Sequence, residues 1–158
     1  MEFLENLGII LTVLAGVLAS GMAGIGSAKG VGLVGEAATG VLTEEPSRFS
    51  KVLILEALPG TQGIYGLLTW FMILMRSGLL SGNADVTWQR GLAFFFAAMP
   101  IGIVGYFSAI SQGQVAAAGV GLVAKRPEEQ SKAIVLAAMV ETYAILALLT
   151  SIMTILQI

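Results

Sequence analysis

The sequence contains no cysteine and no histidine. Their absence removes disulfides, thiolate and imidazole metal ligation, and the Ser-His and Cys-His arrangements of nucleophilic catalysis. Charge is scarce too. Only 11% of the 158 residues are Asp, Glu, Lys or Arg, and a net charge of −2 offers no basic surface for nucleic acid. Long polar stretches are missing as well: the connections TEEPSR, RSGLLSGNADVTWQR and KRPEEQ leave no room for a sizeable domain outside the apolar segments. Any soluble catalytic machinery would have to come from partner chains. We therefore expect no catalysis by this chain alone and no organic cofactor. The N-terminus MEFLEN is acidic, and no A-x-A site closes the first apolar run, which reads as a retained helix rather than a signal peptide.

What the sequence has instead is hydrocarbon. Hydrophobic residues make up 56% of it and the mean hydropathy is +0.89, the signature of an integral membrane protein. Four apolar segments, Leu7–Leu42, Val52–Met75, Gly91–Ala124 and Ala133–Leu156, are each long enough to cross a core of about 30 Å at 1.5 Å per helical residue. The expected fold is all-α, one multi-pass membrane domain over residues 1–158. Basic residues set its orientation. Arg48 and Lys51 in the first connection, and Lys125, Arg126 and Lys132 in the third, outweigh Arg76 and Arg90 beside the second. The first and third connections should face the cytoplasm and both termini the outside, in keeping with Glu2 and Glu5.

Pro46 and Pro127 are 81 positions apart, and at that offset Ser50-Lys51 meets Ser131-Lys132 without a gap. Gly21, Gly24, Ser27-Ala28, Gly32 and Gly40 fall on Gly102, Gly105, Ser108-Ala109, Gly113 and Gly121, and Thr61 falls on Thr142. The chain reads as a helical hairpin duplicated in tandem, with repeats at about 7–80 and 88–158. With two helices per repeat, the halves share one orientation rather than being inverted. The informative mismatch is Gly60 opposite Glu141. Beside Gly60 stands Pro59, which should open the second segment locally at the depth of Glu141.

Small residues recur in the first segment at Gly16, Ser20, Gly24, Ala28, Gly32 and Gly40, and in the third at Ala109, Gly113, Ala117 and Gly121. Such stripes let backbones approach closely. They suit either a seam inside a four-helix bundle or the crowded inner layer of a homo-oligomeric ring, with the bulkier second and fourth segments outside.

An ionised carboxylate near the bilayer centre costs several kcal/mol, so Glu141 should be protonated, paired or bound to a cation. A proton needs only the carboxylate, whereas an alkali ion needs about five or six oxygens to replace its hydration shell. Thr61 and Gln62 adjoin Gly60, the counterpart of Glu141, and Gln112 and Gln114 supply two amides in the third segment. Spacing does not choose between those amides. Tyr65, one turn beyond Thr61, can donate its hydroxyl to the carboxylate, or simply pack against lipid.

The duplicated hairpin, with GIGSAKGVG, LPGTQGIYG, SQGQVAAAG, VAKRPE and AAMVETYA in that order, resembles the V-type ATPase proteolipid, the duplicated c-type or K subunit of the membrane rotor, and among these the sodium-translocating bacterial form. The resemblance covers nearly the whole chain. It implies a homo-oligomeric ring in the cell membrane that turns against a stator subunit and is gripped by a central stalk, carrying one ion per carboxylate while ATP is hydrolysed elsewhere. It places the sodium ligands on the Leu58 backbone carbonyl, Thr61, Gln62, Gln112 and Glu141, and gives Tyr65 the hydrogen bond to the carboxylate. Gln112 is thereby chosen over Gln114. Competing readings are a proton-carrying rotor subunit and a small cation/proton antiporter. Glu56 departs from the expected pattern: either an acid snorkelling toward the cytoplasmic end or a second titratable group on the cytoplasmic approach, bridged to Lys51 or solvated near the stator. Lys29 and Glu36 read as interfacial or ring-lining charges.

Overall fold

The computed structural model describes residues 2–158, with side chains from Asn6 onward, so Glu2 and Glu5 lie outside the described side chains. The elements in chain order are α1 (Glu2–Glu44), α2 (Phe49–Ala57), α3 (Thr61–Arg76), α4 (Trp88–Lys125) and α5 (Gln130–Gln157), with no strand among the described residues. Short 3₁₀ turns at Pro46–Arg48, Leu58–Gly60, Leu79–Ser81 and Pro127–Glu129 join them. Three of the helices are each long and apolar enough to cross a membrane. The second crossing is made by α2 and α3 end to end, because Pro59 has no N–H for the Leu55 carbonyl and the chain tightens into a 3₁₀ turn there. Its axis continues, since Gly60 (φ −78°, ψ −22°) and Thr61 (φ −64°, ψ −35°) stay right-handed.

The duplication is visible in the backbone. The residue before a proline is pushed out of the helical region. Glu45 (φ −134°, ψ 79°) and Arg126 (φ −140°, ψ 79°) end α1 and α4 almost identically. Their N–H groups donate to the Val41 and Leu122 carbonyls, both at 2.8 Å. At the opposite end the chain reverses through Gly78 (φ 77°) and Gly82 (φ 73°), the two described positions with positive φ, before Thr87 caps α4.

Glycines bring α1 and α4 into backbone contact. A Cβ at Gly26 would fall 2.5 Å from the Tyr106 carbonyl oxygen, and one at Gly113 would fall 2.5 Å from the Gly30 Cα. Gly16 lies under the Trp70 ring, and Gly66 faces the Ala19 backbone, which seats α3 on α1. The small-residue stripe thus divides: Gly16, Ala109 and Gly113 are buried, whereas Ala28, Gly32, Gly40 and Gly121 are exposed. A four-residue step overshoots the 3.6-residue turn by about 40°, so the stripe winds off the α4 seam onto the free side.

Two apolar clusters bracket a polar layer. One, near the proline turns, joins Val34, Val52, Leu55, Val120, Val123 and Ala137; the other joins Ala15, Ile73, Phe94, Ile101 and Ile155. Between them lie Ser27, Gln62, Ser108, Gln112 and Glu141, so that each of the four crossings contributes to the layer. Outward, α3 and α5 expose Ile64, Leu67, Phe71, Leu136, Met139 and Leu146, a surface that suits lipid. Pro100 interrupts the α4 ladder, and the neighbouring Ile101 N–H donates to the Ser151 hydroxyl at 3.2 Å.

The proline-turn end is clasped across the halves. Arg48 donates to the Val123 carbonyl at 2.6 Å, and Lys51 to that of Pro127 at 2.7 Å. Lys51 is therefore not bridged to Glu56, whose Oε1 lies over Gly35 in space that a side chain there would narrow. Lys29 donates to the Tyr106 hydroxyl at 3.0 Å, and Glu36 is exposed.

Gly113→Ala should cost about 1–3 kcal/mol by forcing α1 and α4 apart. Gly40→Ala, which meets nothing within 4 Å, should be neutral or stabilise by up to about 1 kcal/mol through helix propensity. Thermal unfolding of the two variants in detergent measures the contrast.

Candidate functional site

Glu141 lies midway along α5, where α3 and α4 meet it. Both carboxylate oxygens are engaged. Oε1 accepts from the Tyr65 hydroxyl at 2.5 Å, and Oε2 accepts from Gln112 Nε2 at 3.3 Å. Gln112 Oε1 in turn accepts from Gln62 Nε2 at 2.6 Å. Gln62 Oε1 stands 3.3 Å from the Thr61 hydroxyl, which donates to the Leu58 carbonyl at 3.0 Å. One polar chain therefore runs from Leu58 through Thr61, Gln62 and Gln112 to Glu141 and Tyr65. The two glutamines are wholly buried, at 0% exposure.

Local sequence explains how the oxygens converge. Leu58–Gly60 is the 3₁₀ turn imposed by Pro59, and the Thr61 hydroxyl reaches back to the carbonyl that this turn presents. Gly63 clears the space that lets α3 approach α1, and its N–H donates to the Ser27 hydroxyl at 2.8 Å. Ser108 and Gln112 stand one turn apart on the same face of α4.

All six residues singled out from the sequence come together: Leu58, Thr61, Gln62, Tyr65, Gln112 and Glu141. Gln114 is exposed and stands outside the group. Ser27 and Ser108 stood out in the sequence only as matched positions of the repeat, yet both hydroxyls tie helices at this level. The Ser108 hydroxyl donates to the Val140 carbonyl at 3.2 Å and accepts from Gln62 Nε2 at 3.4 Å. The available signal was their pairing at the 81-residue offset inside a polar-poor segment.

The charge arithmetic of the site is simple. Among the described residues no cluster of three acids, cysteines or histidines exists, and the ion pairs, Arg48–Glu45 and Lys132–Glu129, both lie at the proline turns. An ionised Glu141 would thus be a single negative charge among neutral donors and oxygens. A monovalent cation would neutralise it, whereas a divalent one would leave a net positive charge in hydrocarbon.

The model of the family described as the C subunit of ATP synthase matches this chain twice, over residues 14–73 and 95–154. The two matches are displaced by 81 positions, the offset of the internal repeat. The K subunit of the V-type sodium ATPase of Enterococcus hirae is 47% identical over 159 residues, covering 99% of both chains. The K subunit of the A-type ATP synthase of Methanocaldococcus jannaschii is 39% identical over 145 residues, covering 92% of this chain and 61% of that one. With two tandem matches to the family model and a full-length relative at this identity, the chain belongs to the family of ATP synthase C subunits, in duplicated form.

Proposed function

We propose that the chain is an ion-carrying subunit of the rotor ring of a V-type ATPase and that its cargo is Na⁺. The observation that carries the reading is the oxygen chain at Glu141: one carboxylate, two amides, a hydroxyl and a backbone carbonyl drawn together between apolar clusters. The relative from Enterococcus hirae, named as part of a sodium ATPase, supports the choice of ion. The proposed ligands are the Leu58 carbonyl, Thr61, Gln62, Gln112 and Glu141, with Tyr65 holding the carboxylate. The whole chain forms one membrane domain, with its repeats at about 7–80 and 88–158.

In this mechanism the bare carboxylate, satisfied by Tyr65 and Gln112, waits where a stator subunit admits ions. An arriving Na⁺ exchanges its water for the protein oxygens and cancels the charge of Glu141. The neutral site then passes along the lipid at modest cost, since the several kcal/mol that penalise an intramembrane charge have been removed. Release requires a second opening and a competing stator cation. Affinity must be high enough to load and low enough to unload. The chain hydrolyses nothing itself. ATP hydrolysis in partner subunits turns the ring through a central stalk gripping the cytoplasmic loops at Glu44–Arg48 and Lys125–Glu129, and both termini face outward.

Carbodiimide labelling of purified rings, read by mass analysis of the modified peptide, tests the ion. Labelling at Glu141 should fall as NaCl is added and should not fall with KCl. Dependence on pH alone would make the cargo a proton. Thr61→Val deletes one neutral ligand and should raise the sodium concentration for half-protection about tenfold to a hundredfold, the range for a hydrogen-bond-strength contact to a charge. Glu141→Gln should abolish both labelling and ATP-driven uptake of radioactive sodium into reconstituted vesicles.

A further inference from the structure

Among the buried hydroxyls that the functional reading leaves unassigned, that of Ser108 touches a proposed ligand. Ser108 is 7% exposed and stands one turn before Gln112 on α4. A serine in a helix commonly returns its proton to its own backbone one turn earlier. Here the proton goes instead to the Val140 carbonyl of α5, the residue immediately before Glu141.

That single bond has a logical consequence for Gln62. A carbonyl only accepts, so Ser108 must donate to Val140, and a hydroxyl has one proton. Toward Gln62 it can then offer only a lone pair. The end of the Gln62 amide facing Ser108, at 3.4 Å, must therefore be the NH₂. The same NH₂ donates to Gln112 Oε1 at 2.6 Å, so the opposite orientation would set two amide oxygens against each other and against a lone pair. The Gln62 oxygen is left on the other side, 3.3 Å from the Thr61 hydroxyl, which gives its own proton to the Leu58 carbonyl. Three oxygens, from Leu58, Thr61 and Gln62, consequently share one proton. An amide turned the other way would present two N–H groups to a cation in place of an oxygen.

We propose that Ser108 is a positioning residue that fixes the Gln62 amide with its oxygen toward the cation, setting sodium affinity without touching the ion. The inference rests on the sodium reading of the Glu141 site and adds to it the residue that orients one ligand. Its repeat counterpart, Ser27, instead accepts from the Gly63 N–H, and so holds backbone rather than a ligand.

The test is a double-mutant cycle on intact rings, reading sodium protection of Glu141 from carbodiimide, with ring assembly checked by native mass. Ser108→Ala should raise the sodium concentration for half-protection about threefold to tenfold, the worth of one neutral hydrogen bond. Ser108→Thr, which keeps the hydroxyl, should restore protection to within about twofold of the parent. Ser108→Cys, close to isosteric with a weak donor, should behave like alanine and stands in for it if the alanine ring does not assemble. In a Gln62→Met background, where no amide needs orienting, Ser108→Ala should change protection less than about twofold. Equal protection of parent, alanine and cysteine rings, or an undiminished alanine effect without Gln62, would overturn the assignment. Absence of sodium protection in the parent ring would instead overturn the sodium reading, so the two failures are distinct.

Discussion

A carboxylate placed in hydrocarbon must be answered by donors, and at Glu141 the answer comes entirely from neutral groups. The Tyr65 hydroxyl and the Gln112 amide take one oxygen each. Those donors belong to different helices, so the carboxylate can be satisfied only if α3, α4 and α5 keep a fixed register. The glycine seam between α1 and α4, the two apolar clusters and the clasps at the proline turns supply that register. An arginine or lysine at this position would have satisfied the acid more strongly. It would also have cancelled the charge of the acid permanently. Neutral donors satisfy the acid without cancelling its charge.

The two halves of the chain treat the same geometry differently. Around Glu141, α4 contributes Ser108 and Gln112; at the matching places of the first half stand Gly60, Ser27 and Val31. Ser27 still ties helices, through the Gly63 N–H, but the acid and its amide are gone. The polar residues that α3 gives to the site, Thr61 and Gln62, match Thr142 and Tyr143 on α5, and there only the threonine remains, donating to Met139 at 2.8 Å. Duplication has thus separated two tasks, with α3 lending oxygens and α5 lending the charge.

Much of this was legible in the residues. The proline offset located both tight turns, hydropathy located the crossings, and Pro59 marked the break that exposes a carbonyl. The polar residues of the site stood out because so little else in the spans is polar. What the sequence did not disclose was rotation about the helix axes. Gly32 and Gly40 read like Gly113, yet they face outward, because only neighbouring helices decide which side of a stripe is covered. Ser108 stood out only as the match of Ser27, since the direction of a hydroxyl proton depends on a carbonyl from another helix. The amide choice between Gln112 and Gln114 was likewise open to spacing and needed a resemblance to resolve it.

The matched proline turns carry a difference of sign. Arg48 caps the end of α4 at the Val123 carbonyl, and its counterpart in the second half is Glu129, which pairs with Lys132 within its own turn. Glu45 likewise falls on Arg126, so the two turns present acid and guanidinium in opposite order along the chain. The backbone repeats every hairpin, but the electrostatic pattern repeats every chain. A gripping partner keyed to charge would find half as many equivalent angular positions as the helices alone suggest, and so would index one carboxylate at a time.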